Sequence, residues 1–220
     1  MSTARSLESL TEVRDGWVWP AEDDVAFGHI RMYLPLLRLA ARQASDRRVA
    51  VQAGGNAGMH PAILASMFEK VITFEPEALN FYCLGQNCQK FDNVEAYEGI
   101  VGNATNKVGL ARRTGWDGEK ACVNTGSVEV AGEGPIPQYR IDDLNLKHLD
   151  FLQLDVEGYE LKALEGAVNT IDKHSPVIML ESYEHGADPR PFVEELGYHR
   201  IVNGEYDQVF VRQRNGTEHL

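Results

Sequence analysis

Short apolar runs alternate with amphipathic segments along most of the chain. Residues 49–53 (VAVQA) and 71–75 (VITFE) are short and contain several β-branched side chains, which is typical of buried strands. Each is followed by a segment whose apolar residues recur at helical spacing. The alternation predicts strands at 49–53, 71–75, 93–101, 149–156 and 176–182, and helices at 61–70, 77–90, 160–174 and 189–197.

Three further segments fall outside this alternation. Residues 1–45 predict a helical and loop preface, because 33–44 (YLPLLRLAARQA) has helical apolar spacing with Pro35 in the first turn. Residues 102–141 are rich in Gly, Asn and Thr, and their short alternating runs predict an inserted hairpin or lid. At the other end, two apolar runs joined through Asn203-Gly204 predict a closing hairpin, with strands at 198–202 and 207–213.

Strands that alternate with helices of this length predict an α/β fold. The sheet would be doubly wound and mostly parallel, with helices on both faces and antiparallel strands at one edge. Ligands of such sheets bind beyond the carboxyl ends of the strands. We therefore expect function at five strand ends: 52–60, 75–80, 98–103, 155–159 and 181–186.

Composition narrows the class of protein and of partner. A chain of 220 residues with 43% hydrophobic and 25% charged residues suits one domain over 1–220. It has no apolar run near the ~18 residues of a membrane span and no apolar secretory core at its start, so a cytoplasmic protein is expected. The net charge of −12 and the lack of a Lys/Arg cluster argue against a nucleic-acid partner.

The turn after the first predicted strand carries Gly54, Gly55 and Gly58. Glycine permits positive φ and close backbone approach, so the turn could cradle a pyrophosphate, a phosphate or the amino-acid part of S-adenosylmethionine (SAM). The dinucleotide pattern G-x-G-x-x-G fails, because Asn56 and Met59 occupy the second and third glycine positions. A phosphate-binding G-K-[ST] loop is absent as well.

Glu75 ends the second predicted strand, 21 residues after Gly54. A carboxylate about 20 residues beyond such a turn can accept hydrogen bonds from both hydroxyls of a ribose. Pro76 then suits the start of the following helix. An acidic residue there also interacts favourably with the helix dipole, and the two roles can coexist.

The ordered segments VQAGGNAGMH, FEPEALNFYCLGQNCQ, IDDL, DFLQLDVEGYELKALEGA and PVIMLE resemble the FkbM-type SAM-dependent methyltransferases over most of the chain. The most specific parts are EPxxxN and LxxDVEGxExxxLxGA. The resemblance implies a class I methyltransferase (Rossmann-like) fold, with a seven-stranded sheet of order 3-2-1-4-5-7-6 and strand 7 antiparallel. The core would run over 46–213, with the insertion at 102–141 inside it.

The resemblance also implies where the cofactor SAM binds. Its ribose would meet Glu75 beside Pro76, and its adenine would lie near Gly99, Ile100 and Val101. Its methionine part would lie among residues of the glycine turn, namely Gln52, Ala53, Gly54, Asn56, Gly58 and Met59.

Two positions depart from the family pattern. Family members typically carry an acidic residue at 52 and a lysine at 153, where this chain has Gln52 and Gln153. An amide at 52 supplies no negative charge toward the ammonium or sulfonium of SAM. A catalytically degenerate SAM-binding module is therefore an alternative to an active enzyme.

Methyl transfer from a sulfonium is an in-line displacement, for which the protein mainly supplies alignment and a proton acceptor. Asp155 is our first candidate for orienting or deprotonating an acceptor hydroxyl, and Glu157 the second, while Glu181 would shape the acceptor pocket. Glu157 could instead only start the helix at 160–174. The three carboxylates could also hold Mg²⁺, whereas no histidine grouping typical of zinc is present and no dedicated metal site is predicted.

The favoured function is a SAM-dependent O-methyltransferase that acts on a hydroxyl of a small molecule or sugar; the oxygen and sugar preferences rest on the resemblance. Tyr159 and Trp116 could flank a sugar ring, although nothing in the sequence singles them out. An NAD-dependent oxidoreductase is the alternative enzyme, which the incomplete glycine pattern and the lack of a Tyr-x-x-x-Lys pair disfavour. The sequence does not predict the acceptor's identity or the oligomeric state.

Overall fold

The computed structural model describes residues 6–112, 122–181, 186–204 and 207–212. The strands are β1 Thr11–Arg14, β2 Trp17–Pro20, β3 Val49–Ala53, β4 Lys70–Glu75, β5 Val94–Glu98, β6 Ile100–Val101, β7 Lys107–Val108, β8 Leu110–Arg112, β9 Val128–Val130, β10 Ile136–Tyr139, β11 Phe151–Leu154, β12 Val177–Glu181, β13 His199–Asn203 and β14 Asp207–Val211. The helices are α1 Ala26–Ala41, α2 Met59–Ala65, α3 Ala78–Cys88, α4 Glu160–Glu165, α5 Val168–His174 and α6 Arg190–Glu195. No helix in the described ranges combines the length and apolar character needed to cross a membrane.

Seven strands form the central sheet, in the order β13-β14-β12-β11-β3-β4-β5. Only β14 runs antiparallel to its neighbours, β12 and β13, and the other pairs in this sheet are parallel. Counted along the chain, this order is 3-2-1-4-5-7-6 with strand 7 antiparallel. The predicted α/β class and the sheet order are confirmed.

The sheet has a core on each face, as its almost continuously apolar strands require. Successive residues of a strand point to opposite faces. Val51 and Leu152 therefore pack into one core, and their neighbours Ala50 and Phe151 pack into the other. Leu37 of α1 belongs to the second core, so α1 covers the sheet directly.

The N-terminal preface differs from the prediction of helix and loop over 1–45. Strands β1 and β2 form an antiparallel hairpin, which turns through Asp15 (φ +46°) and Gly16 (φ +83°). Helix α1 begins at Ala26 rather than near residue 33, and it contains Pro35 in its interior rather than in its first turn. The prediction failed because the Asp-Gly turn signal and the short strands beside it were not weighed.

Two predicted elements in the core are interrupted by glycine. The predicted helix at 160–174 is two helices, α4 and α5, and Gly166 is the C-cap at which α4 ends. A Cβ at Gly166 would lie 1.9 Å from the carbonyl oxygen of Gly102, so this close approach requires glycine. The predicted strand at 93–101 leaves the central sheet after Glu98, and β6 then pairs with β10. At this break a Cβ on Gly99 would lie 2.6 Å from the carbonyl oxygen of Pro137.

The described part of the segment 102–141 contains short strands. Strands β8 and β9 pair antiparallel, while β10 pairs with β6 in parallel and with β7 antiparallel. Residues 113–121, including Trp116, lie outside the described residues. The closing strands β13 and β14 pair antiparallel as the predicted hairpin requires.

Candidate active site

The carboxyl ends of β3 and β11 meet at Gly54. This residue has φ +82°, and a Cβ on it would lie 1.7 Å from the carbonyl oxygen of Asp155. Any other residue would push the turn away from Asp155, so glycine is required by this contact within the protein. The next residue, Gly55, similarly makes room for Leu84 of α3, whose Cδ1 would lie 2.5 Å from an added Cβ.

The glycine turn is hydrogen-bonded directly to the Glu75 carboxylate. The Asn56 amide donates to Glu75 Oε2 at 2.7 Å, and the Glu77 amide donates to Oε1 at 2.9 Å. Burial raises the pKa of Glu75 by more than these hydrogen bonds lower it, so that the pKa is about 7. The Asn80 side chain also donates to this carboxylate. An ionised carboxylate has about four lone-pair positions, so Glu75 can still accept from a ligand. The helix-capping role belongs to Glu77, whose side chain accepts from the Asn80 amide at the start of α3.

A first cavity, which we name the inner cleft, lies against this turn. Its lining includes nine residues that the sequence assigned to cofactor binding or catalysis: Ala53, Gly54, Glu75, Pro76, Gly99, Ile100, Val101, Asp155 and Glu157. Tyr159 lines it as well, and the insertion contributes Leu110, Gly126, Val128 and Val130. The cleft therefore has polar groups near Glu75 and Asp155 and apolar side chains from β6, β8 and β9.

A second cavity, the outer cleft, adjoins the first. The two share five lining residues: Gly54, Glu75, Gly126, Asp155 and Glu157. The outer cleft adds Glu181 from the end of β12, Asn56 from the turn and Asn124 from the insertion. Helix α1 contributes Ala26, His29 and Ile30.

Sequence reasoning missed the residues that α1 and the insertion contribute. The helical spacing of α1 predicts a helix but says nothing about which cavity its side chains reach. The residues of β8 and β9 carry no motif, and their position depends on pairing across the insertion. No local signal in the sequence would have identified either group.

Asp155, Glu157 and Glu181 come together at the outer cleft. Each has a carboxylate oxygen within 4.8 Å of an oxygen from each of the other two. Strand geometry does not continue beyond Leu154: Glu157 has φ +55° and Gly158 has φ +91°, and this turn brings Glu157 back towards Asp155. The acidic residue in the first turn of α4 is Glu160, which accepts from the Val156 amide at 2.9 Å.

Two carboxyl groups of the cluster, those of Asp155 and Glu181, hold protons more tightly than usual. Burial, followed by repulsion from neighbouring carboxylates, raises the pKa of Asp155 and of Glu181 well above the ordinary values, and the two side chains share a hydrogen bond. Burial also raises the pKa of Asp207, the cross-strand neighbour of Glu181, to about 7. Such a group can accept a proton from a hydroxyl once it is ionised, or supply oxygen ligands to a divalent cation.

The two departures from the family pattern are neighbours. Gln52 of β3 and Gln153 of β11 are paired in register beneath the glycine turn, and both are buried. Gln52 donates to the Gly54 carbonyl at 2.9 Å and accepts from the Thr73 hydroxyl. Gln153 bonds to Nδ1 of His60 at 3.1 Å, and burial lowers the pKa of His60 to about 4, so the neutral ring can accept this bond.

Three residues assigned to cofactor binding lie behind the turn. Gln52, Gly58 and Met59 do not line either cleft. Gly58, at φ +95°, precedes α2, and Met59 is buried in a cluster with Trp19 of β2. Within the described structure, they support the turn.

Comparisons with known proteins identify the family of the chain. The family model for the methyltransferase FkbM domain matches residues 54–200. The hexuronic acid methyltransferase AglP of Haloferax volcanii is 23% identical over 235 residues, covering 97% of this chain and 84% of that protein.

Solved methyltransferase structures share the fold at low identity. Methyltransferase FkbM from Methylobacillus flagellatus KT has a TM-score of 0.53 and 16% identity over 83% of this chain, which spans 59% of that protein. Magnesium protoporphyrin IX methyltransferase from Synechocystis PCC 6803, solved with bound SAM, has a TM-score of 0.50 and 13% identity, covering 86% of this chain and 82% of that one. These likenesses show a class I methyltransferase fold. Because the family model matches 54–200 of the 220 residues, the chain belongs to the FkbM methyltransferase family.

Proposed function

We propose that the protein transfers a methyl group from SAM to a hydroxyl of a sugar. One observation carries the proposal. The glycine turn is hydrogen-bonded to Glu75, and the cleft that both line is also lined by Asp155 and Glu157. A nucleoside-binding carboxylate and candidate proton acceptors thus line one continuous space. Membership of the FkbM family supports methyl transfer as the reaction.

The inner cleft is the proposed cofactor site. Glu75 would accept hydrogen bonds from the ribose through lone-pair positions that its donors, the amides of Asn56 and Glu77 and the Asn80 side chain, leave open. Ile100, Leu110 and Val128 provide apolar surface for the adenine. The Gly54 turn and Asp155 face the methionine end, and Gln52 holds the Gly54 carbonyl from below. When bound, SAM supplies an electrophilic methyl group.

The outer cleft is the proposed acceptor site. Asp155 would orient the acceptor hydroxyl and take its proton as a new oxygen–carbon bond replaces the carbon–sulfur bond of the sulfonium, which would leave as a neutral thioether. Glu157, whose carboxylate lies within 4.8 Å of that of Asp155, would be the second candidate acceptor. The hydrogen bond between Asp155 and Glu181 fixes the orientation of Asp155. Since both groups have raised pKa values, proton acceptance requires that the pair be at least partly ionised.

The acceptor class rests on two observations. The relative from Haloferax volcanii is named a hexuronic acid methyltransferase, which supports a sugar acceptor. The outer cleft has four carboxyl-bearing lining residues: Glu75, Asp155, Glu157 and Glu181. That lining disfavours a nucleic-acid backbone, whose phosphates require basic contacts.

A methyl-transfer assay on the full chain tests the proposal. The protein is incubated with methyl-labelled SAM and a panel of uronic acid and neutral glycosides, and the products are analysed by mass spectrometry. Label on a sugar oxygen, lost in Asp155→Asn, is the expected result. If the folded protein binds neither SAM nor S-adenosylhomocysteine (SAH) at millimolar concentration in calorimetry, the proposal is overturned. Binding without transfer to any acceptor would instead support the degenerate module.

The same assay decides the role of a metal. We propose Mg²⁺ only as an accessory ion held by Asp155, Glu157 and Glu181, whose oxygen atoms suit a hard cation. Loss of transfer in EDTA, restored by Mg²⁺, assigns the three carboxylates to the ion. Undiminished transfer in EDTA assigns them to proton acceptance alone.

A further inference from the structure

Part of the outer cleft comes from a segment that precedes the family match. The match begins at residue 54, whereas Ala26, His29 and Ile30 of α1 line the outer cleft together with the three clustered carboxylates. Residues at i, i+3 and i+4 share one face of a helix. That face of α1 is therefore a wall of the outer cleft, and it does not line the inner cleft.

Asp23 fixes the start of this helix. Its carboxylate accepts from the Ala26 amide at 3.1 Å, from the Phe27 amide at 3.0 Å and from Trp19 Nε1 at 2.9 Å. Burial raises the pKa of Asp23, but these donors outweigh it and the pKa lies below its ordinary value. A buried carboxylate that stays ionised and fully bonded holds the first turn of α1 in one position.

The same carboxylate holds the turn of the insertion that precedes β9. Asp23 Oδ1 accepts from both the amide and the hydroxyl of Thr125, each at 3.1 Å. On its other side the Thr125 carbonyl accepts from Asn80 Nδ2 at 2.8 Å. The neighbours of Thr125, Asn124 and Gly126, line the outer cleft. Helix α1 and residues 124–126 thus form one preorganised wall.

We infer that this wall selects the acceptor and that His29 and Ile30 are its specificity-determining residues. The inference rests on the proposed function. The His29 imidazole hydrogen-bonds to a hydroxyl or carboxylate of the sugar, and Ile30 packs against its ring. Tyr33 lies edge-on to the His29 ring, with 5.1 Å between centroids, and so restricts the orientation of the imidazole. Substitutions on this face should change acceptor binding and leave cofactor binding unchanged.

Kinetics and calorimetry on His29→Ala test the inference. The matched control is Met32→Ala, on the same helix but 66% exposed and outside both clefts. With methyl β-D-glucuronide as the first probe acceptor, we expect His29→Ala to raise KM about 10-fold, as the loss of one hydrogen bond implies. The Kd for SAH should stay within about twofold of wild type. His29→Gln, which keeps a hydrogen-bonding group, should recover part of the lost KM, and Met32→Ala should match wild type in both measurements.

Each other outcome is decisive. An unchanged KM in His29→Ala, with wild-type transfer intact, overturns the inference and leaves the proposed function standing. A KM and an SAH Kd raised by the same factor also overturn it, since His29 would then act only through the fold. A wild-type protein that binds no SAH overturns the proposed function, and the inference with it.

Discussion

At pH 7 a carboxyl group with the raised pKa of Glu75, about 7, is divided between its two protonation states. Hydroxyl donors favour the ionised state, so ligand binding and proton release are coupled at this one residue. The same reasoning applies to Asp155 and Glu181, where burial and mutual repulsion favour the protonated state. Protonation of single side chains should therefore affect folding stability and, under the proposed function, cofactor affinity.

The first prediction concerns Glu75→Gln. Calorimetric titration of wild type with SAH should show affinity that increases from pH 6 to pH 8, as Glu75 ionises through its pKa of about 7. The variant should bind SAH roughly 10- to 100-fold more weakly, because it loses charged hydrogen bonds to the ribose, and its affinity should not follow pH in this way. Glu98→Gln is the control, since Glu98 is the exposed register neighbour of Glu75. Equal affinity in the two variants would exclude Glu75 from cofactor binding.

The second prediction concerns Asp155→Asn. A carboxyl group whose pKa is raised in the folded state contributes stability below its unfolded pKa, near 4, and loses that contribution as pH rises through the folded pKa. The melting temperature of wild type should therefore fall from about pH 5 to pH 8, and the variant should melt higher than wild type at pH 8. Methyl transfer should fall by about 10²- to 10⁴-fold. A variant that is both less stable at pH 8 and fully active would contradict the assignment.

At the scale of elements, strand pairing explains why two departures from the family pattern occur together. Gln52 and Gln153 are register partners on β3 and β11, so the acidic residue and the lysine that the resemblance implies at these positions would be neighbours as well. The Gly54 carbonyl keeps a donor from Gln52. The amide at 52 is therefore compatible with an ordered turn, and it is not by itself a sign of degeneration.

The third prediction is a double-mutant cycle on this pair. Gln52→Glu places a carboxylate beside the Gly54 carbonyl, and Gln153→Lys buries an ammonium group; each should cost about 3 kcal/mol of unfolding free energy, as unpaired buried charges do. The double variant should recover at least about 2 kcal/mol of that sum. Urea denaturation measures the free energy of unfolding of wild type, the two single variants and the double variant. Additive losses would show that the two side chains do not interact.

Most elements were predicted from local pattern, and the errors have local causes. The apolar runs of β3, β4, β11 and β12 and the helices between them followed from periodicity. The hairpin of β1 and β2 was missed although Asp15-Gly16 carries its turn signal. The break between α4 and α5 was missed although Gly166, the C-cap of α4, is a helix-ending residue inside the predicted helix.

At the scale of the whole molecule, the residues of the proposed cofactor site follow from sequence pattern, and those of the proposed acceptor site do not. Gly54, Glu75 and Asp155 follow strands whose ends meet in any fold of this class. Asp23 and Asn80 hydrogen-bond to Thr125 and so hold together the wall formed by α1 and residues 124–126. They precede Thr125 in the chain by about 100 and 45 positions. Sequence spacing does not predict such distant contacts, so His29 and Ile30 were identified only from the structure.

The most direct test is a crystal structure of the full chain with SAH. Both ribose hydroxyls should lie within about 3 Å of the Glu75 carboxylate. The adenine should lie beside Ile100, and the sulfur should lie near Asp155, facing the outer cleft. A nucleoside bound elsewhere on the sheet, or one whose ribose does not contact Glu75, would contradict the account.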